Sequence, residues 1–169
     1  MIAQLVNASD LVRVAELMAS TVPEWWTTEG AMAQLEGSLC WLQDDGTRLV
    51  GWVSCIDLPE YKTLEIDTCG FNDGVSARAA GPGLEPLFAE AEKWARQHGY
   101  ANLRYIRTSG GLSCHQGPLK CVWQELRDLR ALAPGSSYDW LIEQGFRACG
   151  ILPDVYGEGI HGIVMIKRV

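Results

Sequence analysis

The sequence predicts an α/β fold, a mixed sheet with helices on both faces, and three observations predict it. Residues 48 to 58 read as a strand apolar on both sides, with Leu49, Val53 and Cys55 alternating with Val50, Trp52 and Ile56. A strand covered on both sides is central in its sheet. Asp44-Asp45-Gly46 precedes it, and Asp-Gly is a strong hairpin turn, so two antiparallel neighbours stand here. Further on, a strand over residues 63 to 71 is followed by a glycine turn, an amphipathic helix and a strand over residues 102 to 108. That order makes a parallel pair through a right-handed crossover. A chain of 169 residues with 47% apolar content has the size and core of one domain over residues 1–169.

Met1 to Val6 reads as a short strand. Asn7 or Ser9 caps the helix that follows, whose apolar stripe is Leu11, Val14, Ala15 and Met18. Pro23 opens a second helical stretch carrying Trp25, Trp26, Met32 and Leu35, with Gly30 as its weak point and Gly37 as its stop. Residues 38 to 43 and 48 to 58 are the hairpin strands, and Thr63 to Phe71 is the fourth strand. The helix from Leu84 to His98 buries Leu84, Leu87, Phe88, Ala91, Trp94 and Ala95 and stops at Gly99. Asn102 to Thr108 is the fifth strand, and a helix near residues 136 to 144 precedes two final strands at 146 to 152 and 160 to 167. Between them, Leu119, Val122, Trp123, Leu126, Leu129 and Leu132 recur at three- and four-residue steps. This stripe predicts an extra helix inserted after the fifth strand and ending before Pro134-Gly135.

A net charge of -7, from fourteen Lys and Arg against twenty-one acids, excludes nucleic acid as a partner, because phosphate neutralisation needs a basic face. Cationic substrates are favoured. No apolar run approaches a membrane span of roughly 18 residues, and Met1-Ile2-Ala3-Gln4 lacks the basic residues of a signal peptide. No membrane partner and a cytoplasmic location are expected, with the six cysteines reduced and packed as small hydrophobes. Cys114, His115 and Cys121 are the one cluster of ligand-type side chains, and they lack the paired spacing of a zinc site, so no metal is expected. His98 reads as a helix-end residue and His161 as a strand residue.

Arg78-Ala79-Ala80-Gly81-Pro82-Gly83 stands between the fourth strand and its helix. A small-residue turn opening a helix cradles phosphate: glycine lets backbone approach the ligand, and the amides and dipole of the helix start attract anions. Arg78 adds a charged fork. No Lys-Ser or Lys-Thr follows as a P-loop requires, and Pro86 stands where a dinucleotide fingerprint has its third glycine. What remains is Arg-x-x-Gly-x-Gly. Near the C-terminus come Leu141-Ile142-Glu143-Gln144-Gly145-Phe146, then Ile151-Leu152-Pro153-Asp154-Val155-Tyr156, Gly157, Gly159 and Met165-Ile166-Lys167. These segments resemble the pyrophosphate loop, the Tyr-Glu-x-x-Gly-Phe motif and the Leu-Pro-Asn-Tyr-Tyr…Met-x-Lys ending of the GCN5-related N-acetyltransferases. The resemblance covers residues 1–108 and 136–169 and leaves 109–135 as an insertion.

The resemblance implies a sheet whose fourth and fifth strands splay apart, with the pantetheine arm of acetyl-CoA lying in the gap like an added strand. It implies pyrophosphate at Arg78, Ala79, Ala80, Gly81, Gly83 and Leu84, and a thioester carbonyl aimed at backbone amides of the fourth strand. Pro82 brings no amide to that cradle, and Ala79-Ala80 stand where many members have basic residues. The acceptor is a small-molecule or peptide amine, acetylated by direct transfer. An ammonium nucleophile must lose a proton, which calls for a carboxylate near the thioester. Glu65 and Asp67 alternate with Leu64 and Ile66, so both acids share one strand face, roughly 7 Å apart. Glu65 is the base by likeness to strand-four glutamates of the family, and Asp67 meets the substrate's charge.

The family's motif tyrosine, which protonates the departing thiolate, is Leu141 here. Tyr138, one helical turn earlier, and Tyr156 are the candidates for that acid, and a thiol of low pKa also leaves unaided. Ser113, His115 and Gln116 suit a loop that touches substrate, so residues Leu112 to Leu119 are expected to wall the acceptor site. The inserted helix packs on the sheet, forms a homodimer interface or closes over the amine side. Two other readings compete with the enzyme: a non-catalytic acyl-CoA binding or regulatory domain of the same fold, and a doubly wound nucleotide-binding domain. The hairpin strands around Asp44-Asp45-Gly46 disfavour the last.

Overall fold

In the computed structural model, which describes residues 2–4, 7–72, 77–78 and 81–169, the chain divides into two units, Met1–Ala101 with Val169, and Asn102–Arg168. In the first unit, strands β1 (Ile2–Gln4), β2 (Leu39–Asp44), β3 (Leu49–Leu58) and β4 (Thr63–Asn72) pair antiparallel in chain order, and a two-residue strand, Ala77–Arg78, adds to β4. The hairpin forms where the Asp-Gly signal sits. The Asp45 carboxylate accepts the amides of Thr47 and Arg48 at 2.9 and 3.0 Å, and the Thr47 contacts hold that carboxyl well below the usual range.

Helix α1 (Ala8–Thr21) starts where the Asn7 side chain accepts the Asp10 amide at 2.9 Å. Val14, Ala15 and Met18 pack with Cys40, Leu42 and Trp52 in one buried cluster. The opposite face of the sheet meets α3 (Glu85–Gln97): Trp41 stands edge-on to Trp94 at 6.4 Å, and Leu87 crowds Gly51. Alternation along β2 and β3 therefore feeds two helical layers, and β3 is apolar on both sides as expected. Four thiols, Cys40, Cys55, Cys69 and Cys114, are buried, whereas Cys121 and Cys149 are exposed, so those two do not pack as hydrophobes. Burial pushes the Cys40 thiol up to about 12.

Helix α2 spans Thr28–Leu35, not the stretch from Pro23. The Thr27 hydroxyl accepts the Gly30 amide at 3.1 Å and fixes the start there. Pro23 to Trp25 form a turn whose Trp25 and Trp26 amides both donate to the Val22 carbonyl, so both tryptophans precede the helix. At the N-terminus the expected strand is observed over Ile2–Gln4, and residues 1, 5 and 6 lie outside the described ones.

The second unit is an antiparallel sheet with β7 (Gly162–Arg168) between β5 (Asn102–Thr108) and β6 (Arg147–Leu152). Helix α5 (Ser137–Glu143) opens on a capping box: the Ser136 hydroxyl accepts the Asp139 amide at 3.1 Å, and the Asp139 carboxylate accepts the Ser136 amide at 3.3 Å. Ser136→Ala is expected to cost about 1 kcal/mol, read as a lowered urea midpoint with unchanged slope.

The inserted helix, α4, covers only Val122–Arg127. Beyond it the chain turns back to pair: Ala131 bridges Leu112, and Ser113 and Arg130 exchange backbone and hydroxyl hydrogen bonds. Those bonds replace the helical ones that the leucine spacing favours. The stripe is not buried as a unit, since Trp123 is 77% and Leu132 66% exposed. No helix among the described residues is long and apolar enough to cross a membrane.

Candidate active site

The fourth strand carries a feature absent from simple alternation. Ser54 faces Thr68 and Cys55 faces Ile66, so Asp67 is an extra residue opposite no partner on β3. Such a bulge lifts one residue out of the ladder. It is braced from β3: the buried Ser54 hydroxyl accepts the Thr68 amide at 3.2 Å, and Trp52 Nε1 donates to the Thr68 hydroxyl at 3.1 Å. Glu65 and Asp67 are both half-buried, while Leu64 and Ile66 are buried. From α2, Gln34 Nε2 donates to the Asp67 carboxylate at 2.5 Å. Nothing in the helical pattern marks Gln34 for this role.

The glycine turn comes next. Ala79 and Ala80 lie outside the described residues, and of Arg78 the backbone alone is described, paired with Phe71. Pro82–Leu84 form one 3-10 turn, closed by the Leu84 amide donating to Gly81 C=O at 3.0 Å. That amide is spent within the turn, and the Leu84 side chain is buried in the core. No side chain caps α3, the Glu85 amide donates to the Pro82 carbonyl and Pro86 carries no amide, so what the start of the helix offers an anion is the positive end of its dipole. Glu85 in that first turn already complements the helix dipole in part. A Cβ on Gly83 would come within 2.8 Å of the Phe71 ring, so a glycine here lets the turn pack on β4. A cleft of about 460 Å³ opens beside it, lined by Gln43, Asp45, Arg48, Val50, Phe71, Pro82 and Gly83.

In the second unit, Tyr138 sits half-buried in the first turn of α5, with the Arg107 guanidinium 5.9 Å from its ring centroid. Burial pushes the Tyr138 phenol up, and the Arg107 charge opposes that. Arg107 is itself only 8% exposed; its Nη2 donates to the Gly110 carbonyl at 2.9 Å, its buried Nη1 has no hydrogen-bond partner, and burial pulls its pKa down. The partly exposed Tyr156 places its hydroxyl 3.3 Å from the Ile106 carbonyl of β5, to which it donates. Leu141, at the family's tyrosine position, is fully buried.

His115 is half-buried, with Nδ1 at 3.1 Å from the Ser109 hydroxyl. Gln116 is exposed, in the left-handed region at φ 59°, and its amide donates to Gly159 C=O at 2.9 Å. His161 precedes β7 and is not a strand residue; it is buried and bonded through both ring nitrogens. Among the described residues no group of three or more His, Cys, Asp or Glu side chains is arranged to hold a metal.

No family model matches the sequence, and no curated protein matches it. Solved structures do match in fold. An aminoglycoside 6'-N-acetyltransferase complexed with coenzyme A superposes with a TM-score of 0.83 at 17% identity, over 99% of this chain and 96% of that one. The aminoglycoside 6'-N-acetyltransferase from Enterococcus faecium gives 0.81 at 16% identity, with the same coverage of 99% and 96%. A ribosomal-protein-alanine N-acetyltransferase from Brucella melitensis gives 0.67 at 18% identity, over 100% of this chain and 99% of that one. Helices on both faces of the first unit's sheet thus belong to a known architecture: the chain has the fold of the GCN5-related N-acetyltransferases.

Proposed function

We propose that residues 1–169 form one acyl-CoA-dependent N-acetyltransferase domain that moves an acetyl group from acetyl-CoA to a primary amine by direct transfer. The observation that carries this reading is the Arg-x-x-Gly-x-Gly turn that leads into α3, on a fold whose solved neighbour is complexed with coenzyme A. Acetyl-CoA supplies the acyl group activated as a thioester. Arg78, Ala79, Ala80, Gly81, Gly83 and the Leu84 turn hold its pyrophosphate, and the start of α3 adds the dipole's charge. Backbone amides at the Asp67 bulge stabilise negative charge developing on the acyl oxygen. Glu65 accepts the proton of the incoming ammonium, directly or through water. Asp67, held by Gln34, meets the substrate's positive charge. Tyr138 or Tyr156 returns a proton to the departing sulfur, and His115 and Gln116 wall the acceptor.

Acetyl-CoA at about 100 times its dissociation constant is expected to stabilise the protein by about 2.7 kcal/mol. Gly83→Val forces the Phe71 ring aside and is expected to remove most of that ligand-induced shift. Failure of both acetyl-CoA and CoA at millimolar concentration to raise the melting temperature rejects the cofactor reading. The buried Leu141 favours a second reading, a domain that binds acyl-CoA without turnover. Release of free thiol on adding kanamycin, spermidine, lysine or an alanine-terminated peptide separates the two, because a binder alone releases none.

A further inference from the structure

The pairing of β5 with β7 ends at Thr108 and Gly162, yet immediately beyond it two loops are tied together more densely than strand register needs. Ser109 and His161 exchange bonds: the Ser109 amide donates to the His161 carbonyl at 2.8 Å, and the His161 amide donates to the Ser109 hydroxyl at 3.0 Å. Having accepted that amide, the hydroxyl has its own proton to give to His115 Nδ1, 3.1 Å away. The His161 ring, 1% exposed, spans the gap. Its Nδ1 accepts the Asp154 amide at 3.1 Å and its Nε2 stands 3.0 Å from the Gly117 carbonyl. An amide only donates and a carbonyl only accepts, so in these two bonds Nδ1 is the acceptor and Nε2 the donor, with the Asp154 carboxylate a further 3.4 Å neighbour of Nδ1. Around it the Gln116 amide donates to Gly159 C=O at 2.9 Å, and the Asp154 carboxylate accepts the Gly159 amide at 2.8 Å. A Cβ on Gly159 would lie 3.1 Å from the Gln116 Cα, so the loops touch backbone to backbone.

We propose that His161, with Ser109, is a positioning residue that locks loop 109–117 and loop 154–161 into one piece, and thereby sets the acceptor site. This rests on the reading that His115 and Gln116 wall the amine and that Tyr156 serves the chemistry. The first loop carries His115 and Gln116, and the second carries Tyr156. Neither can shift alone while the ring holds Asp154 and Gly117 together. Two partners buried with all their polar groups paired hold geometry in a way that apolar contacts do not.

The test is His161→Ala, with His161→Asn as the conservative variant whose side-chain oxygen stands where Nδ1 accepts the Asp154 amide. Hydrogen exchange at Gln116 and Tyr156, neither of which bonds the ring, is expected to accelerate about tenfold or more in His161→Ala. The Michaelis constant for the best of the four amines above is expected to rise about tenfold, while the acetyl-CoA dissociation constant stays within about twofold, and His161→Asn recovers part of both effects. Exchange unchanged at either residue, or acetyl-CoA affinity falling in step with amine binding, overturns the proposal. If His161→Ala does not fold, His161→Asn carries the same readouts at smaller amplitude. A wild-type protein without turnover rejects the transferase reading and the acceptor-site role with it, while exchange still decides whether the two loops are locked.

Discussion

Trp52→Ala is expected to remove about 3–5 kcal/mol of folding stability, the range for truncating a large buried aromatic side chain. Trp52 is 1% exposed and sits in the cluster formed by α1, α2 and the sheet. It faces Gly70 across β3 and β4, and a Cβ on Gly70 would lie 2.3 Å from the indole ring. The glycine therefore exists to make room for the ring, which in turn covers the bare backbone of β4. Gly70→Ala alone should cost about 1–3 kcal/mol by overpacking, because the indole cannot rotate away without leaving the Thr68 hydroxyl. In a Trp52→Ala background the same change should cost far less, since the colliding atoms are gone. Urea midpoints of the two single variants and the double variant measure the coupling. Additive losses would mean that Trp52 and Gly70 are not partners in the way their contact implies.

Glu65→Gln is expected to lower kcat about a hundredfold with little change in acetyl-CoA affinity, because an amide of the same shape keeps the packing but accepts no proton. Residual turnover should rise with pH, as more of the amine arrives already deprotonated. A variant as fast as the wild type across the pH range would remove Glu65 from the chemistry and leave Asp67 as the next candidate. The bulge sets the two carboxylates apart in their pairing. Asp67 is engaged by Gln34, and Glu65 stands on the regular ladder opposite Ile56.

Features set by neighbours in sequence were legible. Asp44-Asp45-Gly46 encodes its own turn, since Asp44 accepts the Gly46 amide and Asp45 those of Thr47 and Arg48, and the stripe of Leu87, Phe88, Ala91 and Ala95 repeats with the helical period and is buried, with Trp94 half-buried beside it. Features set by distant partners were not. Leucine spacing from residue 119 to 132 argues for a long helix, and only the pairing of Ala131 with Leu112 ends it at Arg127. Pro23 reads as a helix start, yet the hydroxyl of Thr27 wins by capping Gly30. The bulge at Asp67 depends on how β3 pairs, and one of the two bonds of the His161 ring reaches Gly117, far from it in the chain. The acid pair and the glycine turn are compact in sequence and so stand out there, whereas Gln34, Arg107 and Ser109 carry no local signature.

The distribution of the six thiols has a practical consequence for measuring this protein. A chromogenic disulfide reagent, the usual reporter of released CoA, reacts with thiolates, so the exposed Cys121 and Cys149 add their own signal to every reading. Cys149 should react more slowly, because burial raises its thiol and its sulfur is 3.5 Å from the Val164 carbonyl. The four buried cysteines should stay silent until the chain opens. The reagent then counts unfolding events directly, with a stoichiometry that steps from two to six as the native state is lost.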